Sequence, residues 1–179
     1  MIAGVLMLSC CGVLVAAALP GVWLDIPFVK QEGDGCGAAS IAMVMQYWQQ
    51  QKKQSSNASA DYGHIQQALL SRAAHGIFAS AMERYFQENG FATFSVDGNL
   101  GILRHHLEQG RPLIVALNPG WHLPLHYVVV AGVNDEEHVV LVNDPAQRKL
   151  VKEDDSRFEQ EWKGAGHWTL LAVPKGSAH

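Results

Sequence analysis

Cys36 is the residue of this chain whose type and position most clearly suggest chemistry. It is the only cysteine outside the apolar first twenty residues, and it stands directly before an apolar stretch with helical spacing. A helix N-terminus carries partial positive charge and unpaired N–H groups, so a helix that begins here would stabilise a thiolate over a thiol. Cys36 is therefore a candidate nucleophile. The alternative is a small, buried structural cysteine.

A thiolate nucleophile needs a base that accepts its proton, a group that orients the base and donors that hold the oxyanion. His126 opens one predicted strand and Asp144 closes the next, so antiparallel pairing would bring them together. Gln31, five residues before Cys36, carries an amide N–H that suits an oxyanion hole together with the Cys36 backbone N–H. Taken singly, Asp144 could be an ordinary turn residue, His126 a structural histidine and Gln31 an exposed amide. Their joint occurrence favours a Cys-His-Asp site.

The histidines raise the question of a metal site. His122 and His126 are four residues apart, but Pro124 between them disfavours the helix that would place both on one face. The other histidines form no cluster with ligand spacing. The sequence therefore predicts no metal site and no cofactor.

Length and composition indicate one globular domain. The 179 residues are 48% hydrophobic and 17% charged, which is enough to bury a core without disulfide bonds. The formal net charge is -4 and the lysines and arginines are scattered, so we expect no nucleic acid as a partner.

The first 19 residues are apolar, and no charged residue precedes Asp25. Three interpretations are open: a signal peptide cleaved after the small residues 16–18, lipidation at Cys10, or an uncleaved membrane anchor. All three predict an exported protein, periplasmic or extracellular, or one anchored in the membrane. Contact with the membrane would be made through this segment alone, and the folded domain would span residues 25–174.

The coarse pattern of elements separates helices from strands. Helical spacing predicts helices over 37–50, 61–72, 79–89 and 100–109, so that a helical half runs from about residue 36 to 110. After Pro112, short apolar, largely β-branched runs predict strands at 113–117, 127–133, 138–142, 148–152 and 168–173, with a short helix over 157–162. Helices first and strands second indicate an α+β fold.

Three segments carry a resemblance to a known family: 31–48 around the cysteine, 125–133 around the histidine, and 143–145 with the aspartate. They resemble the bacteriocin-processing (double-glycine leader) cysteine peptidases, which are papain-like enzymes of clan CA and are often fused to peptide-exporting ABC transporters. The similarity extends over nearly all of residues 25–174. It implies a papain-like cysteine peptidase fold, in which an N-terminal helical half packs on a C-terminal antiparallel sheet.

By this resemblance, Cys36 matches the family nucleophile, His126 the base, Asp144 the orienting residue and Gln31 the oxyanion donor. The family typically has Asp directly before the cysteine, whereas Gly35 stands there in this chain and Gln31 is correspondingly closer.

The resemblance implies a peptide or protein substrate and a peptide-exporting ABC transporter as a partner. No Walker motif occurs in this chain. We therefore expect a free-standing exported or anchored peptidase that cuts peptides after small residues. Acyl transfer through the same thioester stays open. The alternative from another class is a module of a peptide secretion system that binds peptides without cutting them.

Overall fold

The structure is a computed structural model that describes residues 21–53, 57–120 and 123–176. The predicted leader, residues 1–19, lies outside the described residues, and so do Trp121 and His122. Within the described ranges, no helix has the length and apolar character needed to cross a membrane.

The helices are α1 (Cys36–Gln51), α2 (Tyr62–Leu69), α3 (Ala79–Glu88), α4 (Leu100–Glu108) and α5 (Asp155–Lys163). A short 3-10 turn, Ala58–Ala60, precedes α2. Side-chain caps define three of the helix starts: Asp61 accepts from the His64 N–H, Asn99 from the Ile102 N–H, and Asp154 from two N–H groups of α5. These acceptors satisfy donors that have no partner inside the helix.

The strands are β1 (Val22–Trp23), β2 (Phe91–Asp97), β3 (Leu113–Leu117), β4 (His126–Asn134), β5 (Val139–Asn143), β6 (Val151–Asp154) and β7 (Trp168–Pro174). They form one antiparallel sheet in the order β2-β7-β3-β4-β5-β6, and β1 pairs with β4. The predicted α+β class, with helices packed on an antiparallel sheet, is confirmed.

Helices cover both faces of this sheet because side chains alternate along each strand. Ile114 and Ala116 of β3 face the core formed with α1, α2 and α3. Val115 and Leu117, one residue out of step, face the core formed with α4 and α5. Strand β4 is buried over seven consecutive residues between the two cores, so it is a rigid element on which to mount a side chain.

Strand β2 departs from the sequence prediction, because it interrupts the half of the chain that was expected to be helical. Its exposed residues include Phe94 and Val96, so the strand lacks the alternation of one buried and one polar face. It is a strand because it pairs along its whole length with β7, which lies about 70 residues further along the chain. No local pattern reports that pairing.

The end of α2 and the start of β6 also differ from the sequence prediction, and the reasons are local. Helix α2 ends at Leu69 rather than at residue 72, because Leu70 adopts an extended backbone conformation. Strand β6 begins at Val151 rather than at 148, because the residues before it close a turn that starts at Asp144.

Candidate active site

Cys36 is the first residue of α1. Its side chain is almost fully buried, with the residue 8% exposed, and it forms no disulfide bond. Gly35 caps the helix without a side-chain hydrogen bond, so the first N–H groups of the helix are not occupied by a capping side chain. The sulfur therefore lies at the positive end of a 16-residue helix dipole, as the sequence predicted.

Gly35 is required by a close contact with α2. A Cβ atom at position 35 would lie 2.2 Å from the Tyr62 hydroxyl oxygen and 2.9 Å from the Glu32 carbonyl oxygen. That hydroxyl accepts a hydrogen bond from the Glu32 N–H at 2.7 Å and donates one to the Glu32 carbonyl at 3.1 Å. The departure from the family pattern noted above, Gly35 in place of Asp, thus has a steric reason: Tyr62 occupies the space and holds the loop before the cysteine.

His126 and Asp144 are brought together by the hairpin of β4 and β5. His126 is the first residue of β4, and Asp144 directly follows β5. The His126 Nε2 atom lies 2.7 Å from an Asp144 carboxylate oxygen. The prediction that antiparallel pairing places these two side chains next to each other is confirmed.

His126 and Asp144 each stabilise the charged form of the other. Burial by itself lowers the pKa of His126, but hydrogen bonds and charge interactions with Asp144 and Cys36 outweigh it and raise the pKa of His126 to about 9. For Asp144 burial acts in the raising direction, yet bonds from His126, Ala146 and Gln147 leave its pKa lowered. The imidazolium form of His126 is therefore favoured at neutral pH.

The Asp144 side chain also forms the turn that the sequence suggested as an alternative role. One carboxylate oxygen accepts the Ala146 N–H at 2.9 Å, which is the geometry of an Asx turn. The same oxygen faces His126. The two interpretations of Asp144 do not exclude each other, because one oxygen has lone pairs for both donors.

Gln31 lies in the loop before α1 and is tied to the Asp144 turn. Its backbone N–H donates to the Pro145 carbonyl at 3.0 Å. Its side-chain Nε2 donates to the Gly33 carbonyl at 2.7 Å, and its Oε1 is buried without a partner among the described residues. One amide hydrogen is therefore used within the loop, and the role of Gln31 as an oxyanion donor stays a prediction.

A groove of about 370 Å³ lies beside Cys36. One wall is the segment 74–79, and the other is formed by Pro124, Leu125 and Tyr127. Phe78 and Leu125 are exposed apolar residues on these walls. Ile77 packs against Gly37, where a Cβ atom would lie 3.0 Å from the Ile77 Cβ, and this close approach brings the wall onto the first turn of α1.

No group of three or more His, Cys, Asp and Glu residues in the described part of the chain lies close enough to hold a metal ion. His122, considered above as a metal ligand, lies outside the described residues.

Sequence reasoning missed two polar residues of this region, Tyr62 and Gln147. Tyr62 reaches the loop before Cys36 from a helix 30 positions further along the chain. Gln147 donates from its side chain to the second carboxylate oxygen of Asp144. Neither belongs to a pattern of spacing. For Gln147 the only signal was its place three residues after Asp144, in a turn that begins Asp-Pro.

Among proteins of known role, the chain is similar to the transport/processing ATP-binding protein ComA of Streptococcus pneumoniae. The two are 26% identical over 149 residues, in two strains. The match covers 78% of this chain and 17% of that protein's length, so the chain spans less than a fifth of these relatives.

Solved structures share the fold. The peptidase domain of Streptococcus ComA, a bi-functional ABC transporter, superposes with a TM-score of 0.65 at 23% identity, covering 83% of this chain and 98% of that domain. A double glycine motif protease from an AMS/PCAT transporter, solved with its leader peptide, gives a TM-score of 0.64 at 23% identity, covering 88% and 100%. A C39-like peptidase from Bacillus anthracis gives a TM-score of 0.61 at 18% identity, covering 87% and 98%.

The family model described as the Peptidase_C39 like family matches residues 23–169, which is most of the chain. The resemblance inferred from the segments around Cys36, His126 and Asp144 is thereby confirmed for the family and its fold. The chain belongs to the Peptidase_C39 like family.

Proposed function

We propose that this protein is a cysteine peptidase in which Cys36 is the nucleophile, His126 the acid and base, and Asp144 the residue that orients His126. The observation that carries the proposal is the position of His126. Its Nε2 atom is bonded to Asp144 at 2.7 Å, while Cys36 interacts with the same imidazole and helps to raise its pKa. Because Nε2 is engaged, Nδ1 is the nitrogen that exchanges a proton with the sulfur.

The reaction proceeds through a thioester. The Cys36 thiolate attacks the carbonyl carbon of a peptide bond, and the negative oxygen that forms is held by the Cys36 N–H and the second Gln31 amide hydrogen. The His126 imidazolium gives its Nδ1 proton to the amine, which leaves as the C–N bond breaks. His126, now neutral, takes a proton from a water molecule that attacks the thioester. The C–S bond then breaks, the carboxylic acid is released, and the Cys36 thiolate is left beside the His126 imidazolium, as at the start.

We propose that the substrate is a peptide with small residues directly before the scissile bond. The likeness to a double glycine motif protease solved with a leader peptide supports this specificity, and the groove next to Cys36 is a place where such a peptide can bind. We further propose a peptide-exporting ABC transporter as partner, since one relative is a transport/processing ATP-binding protein and one structural neighbour is the peptidase domain of a bi-functional ABC transporter. Export or anchoring through residues 1–19 stays part of the proposal.

The test uses the full chain and synthetic peptides that carry Gly-Gly before the scissile bond, with Ala-Ala and Leu-Leu peptides as controls. Cleavage is followed by mass spectrometry. We expect Cys36→Ala to abolish cleavage, and circular dichroism to show an unchanged fold. Equal cleavage by wild type and Cys36→Ala contradicts the proposal. Binding of these peptides by the wild type without any cleavage would instead support the peptide-binding module.

Alkylation of the thiol tests the same site without a substrate. We expect iodoacetamide to modify Cys36 of the folded protein near neutral pH, and His126→Ala to slow this reaction, because the imidazolium stabilises the thiolate. Intact mass reports the modification. A rate that His126→Ala leaves unchanged would contradict the pairing of these two residues.

A further inference from the structure

The carboxylate of Asp144 is held by three donors. One oxygen, Oδ1, accepts from His126 Nε2 and from the Ala146 N–H at 2.9 Å. The other oxygen, Oδ2, accepts a hydrogen bond from the side-chain amide of Gln147. The Asp144 side chain is 8% exposed, although Gln147 and its neighbours lie at the surface. The amide of Gln147 is therefore the group that satisfies the carboxylate oxygen turned away from His126.

The backbone places Gln147 for this contact. Its N–H donates to the Asp144 carbonyl at 3.0 Å, and the Asp144 N–H donates to the Arg148 carbonyl at 3.2 Å, so a tight turn is closed at both ends. Pro145 at the second position of this turn has the fixed φ that such turns favour. The Pro145 carbonyl accepts the Gln31 N–H, so the same turn also supports the loop that leads to Cys36.

A carboxylate bonded on one oxygen alone can rotate about the bond that joins it to Cβ, because this torsion has a broad energy profile. Rotation would move Oδ1 away from His126 and free the imidazole to turn. A donor on the second oxygen opposes that rotation. Hydrogen bonds to a charged group are among the stronger ones in proteins, so the loss of one is large enough to measure.

We propose that Gln147 is a positioning residue of this site: its amide fixes the plane of the Asp144 carboxylate and thereby the orientation of the His126 imidazole. The proposal rests on the cysteine peptidase function proposed above. Gln147 acts through Asp144 and His126 and not on the substrate. Its removal should therefore lower kcat and leave KM nearly unchanged.

The test compares two variants with a matched control. Gln147→Met keeps the length of the side chain and removes the donor, whereas Gln147→Lys keeps a donor of similar reach. The control Gln50→Met changes an exposed glutamine near the other end of α1, about 20 Å from Cys36. We expect kcat to fall about tenfold in Gln147→Met, to recover at least in part in Gln147→Lys, and to stay at the wild-type value in Gln50→Met.

A second measurement is independent of cleavage. The Nε2–H proton of His126, bonded to a carboxylate, should give a far-downfield proton NMR signal in the wild type and in Gln147→Lys. We expect the signal to weaken or vanish in Gln147→Met through faster exchange with water, while the melting temperature stays close to that of the wild type. If no peptide is cleaved and the signal still depends on Gln147, the positioning role stands and the peptidase proposal fails.

The inference is overturned if Gln147→Met retains both the wild-type kcat and the downfield signal. It is also overturned if Gln147→Lys loses as much kcat as Gln147→Met with no recovery of the signal, because a donor at this position would then have no effect on His126.

Discussion

His126 links the two halves of the candidate site, and its ionisation sets the conditions under which the site can work. The ring is partly buried, with its side chain 23% exposed, and it is bonded to a carboxylate that is almost fully covered. Burial opposes the charged form, while Asp144 and Cys36 favour it strongly enough to raise the pKa of His126 to about 9. Two measurements follow from this balance.

The first concerns the rate. If the imidazolium protonates the leaving amine, kcat/KM should fall on the alkaline side with an apparent pKa of about 9. Asp144→Asn removes the negative charge that holds the proton, so this limb should move to lower pH and kcat should drop by about a hundredfold. The measurement is a pH–rate profile of both proteins. An alkaline limb at the same pH in both would contradict the role of Asp144.

The second concerns stability. Because the folded pKa of His126 lies above its ordinary value near 6.5, its stabilising contribution is complete below about pH 6.5 and is lost as the pH rises toward about 9. The contribution is at most about 3 kcal/mol. Urea unfolding of wild type and His126→Ala between pH 5 and 10 measures it. The difference between the two proteins should shrink as the pH rises, and a constant difference would contradict the assignment.

The start of α1 shows how neighbouring elements shape the site. Helix α2 places the Tyr62 hydroxyl against Gly35 and against the backbone of Glu32, so the loop before Cys36 is held by a second helix. This contact gives a steric reason for glycine at position 35. It also couples two positions that are far apart in sequence.

A double-mutant cycle tests that coupling. Gly35→Ala alone should lower the free energy of unfolding by about 1–3 kcal/mol, because its Cβ would meet the Tyr62 hydroxyl at 2.2 Å. Tyr62→Phe alone should cost about 1 kcal/mol for the lost hydrogen bonds to Glu32. The double variant should lose less free energy of unfolding than the two single losses added together, because the added Cβ no longer meets the hydroxyl oxygen.

Urea denaturation followed by fluorescence gives these free energies. The control is Gly63→Ala in α2, whose Cβ would meet only an Asp61 oxygen at 3.4 Å, and this change should be neutral or stabilising. Strictly additive effects of Gly35→Ala and Tyr62→Phe would rule out the Tyr62 hydroxyl as the cause of the steric conflict, and would leave the Glu32 carbonyl oxygen, 2.9 Å from the added Cβ, as the remaining close contact.

At the scale of the whole molecule, the cores on the two faces of the sheet have different roles. The core with α1 carries Cys36, and the core with α4 and α5 supports the opposite face of β3 and β4. Trp162 of α5 is the largest side chain of that second core. It contacts Phe158 and His167, and its indole N–H donates to the Trp168 carbonyl at 3.2 Å.

Trp162→Ala should therefore lower the free energy of unfolding by about 3–5 kcal/mol, while Trp23→Ala, at a residue that is 57% exposed, should have a small effect. Below its unfolding transition, Trp162→Ala should keep the reactivity of Cys36 toward iodoacetamide. The cavity that the substitution creates lies on the face of the sheet opposite to Cys36. Thermal unfolding and alkylation rates measure the two effects. Equal melting temperatures of Trp162→Ala and Trp23→Ala would contradict the role of Trp162 in stabilising the core formed with α4 and α5.

The local patterns of the sequence were sufficient for most elements and for the pairing of His126 with Asp144. Both residues stand at the ends of consecutive strands, and a short hairpin allows one arrangement of such ends. The start of a helix at Cys36 was equally local, because apolar residues at helical spacing begin there. The family resemblance depended on these same segments.

Other features were decided by the tertiary structure. Strand β2 exists through its pairing with β7, and Tyr62 reaches the loop before Cys36 from another helix. In each case the partner is set by how the chain returns to itself in space, and side-chain periodicity along a single segment carries no record of that partner. Residue types and spacing therefore determined which groups stand at the site, and long-range packing determined what holds them there.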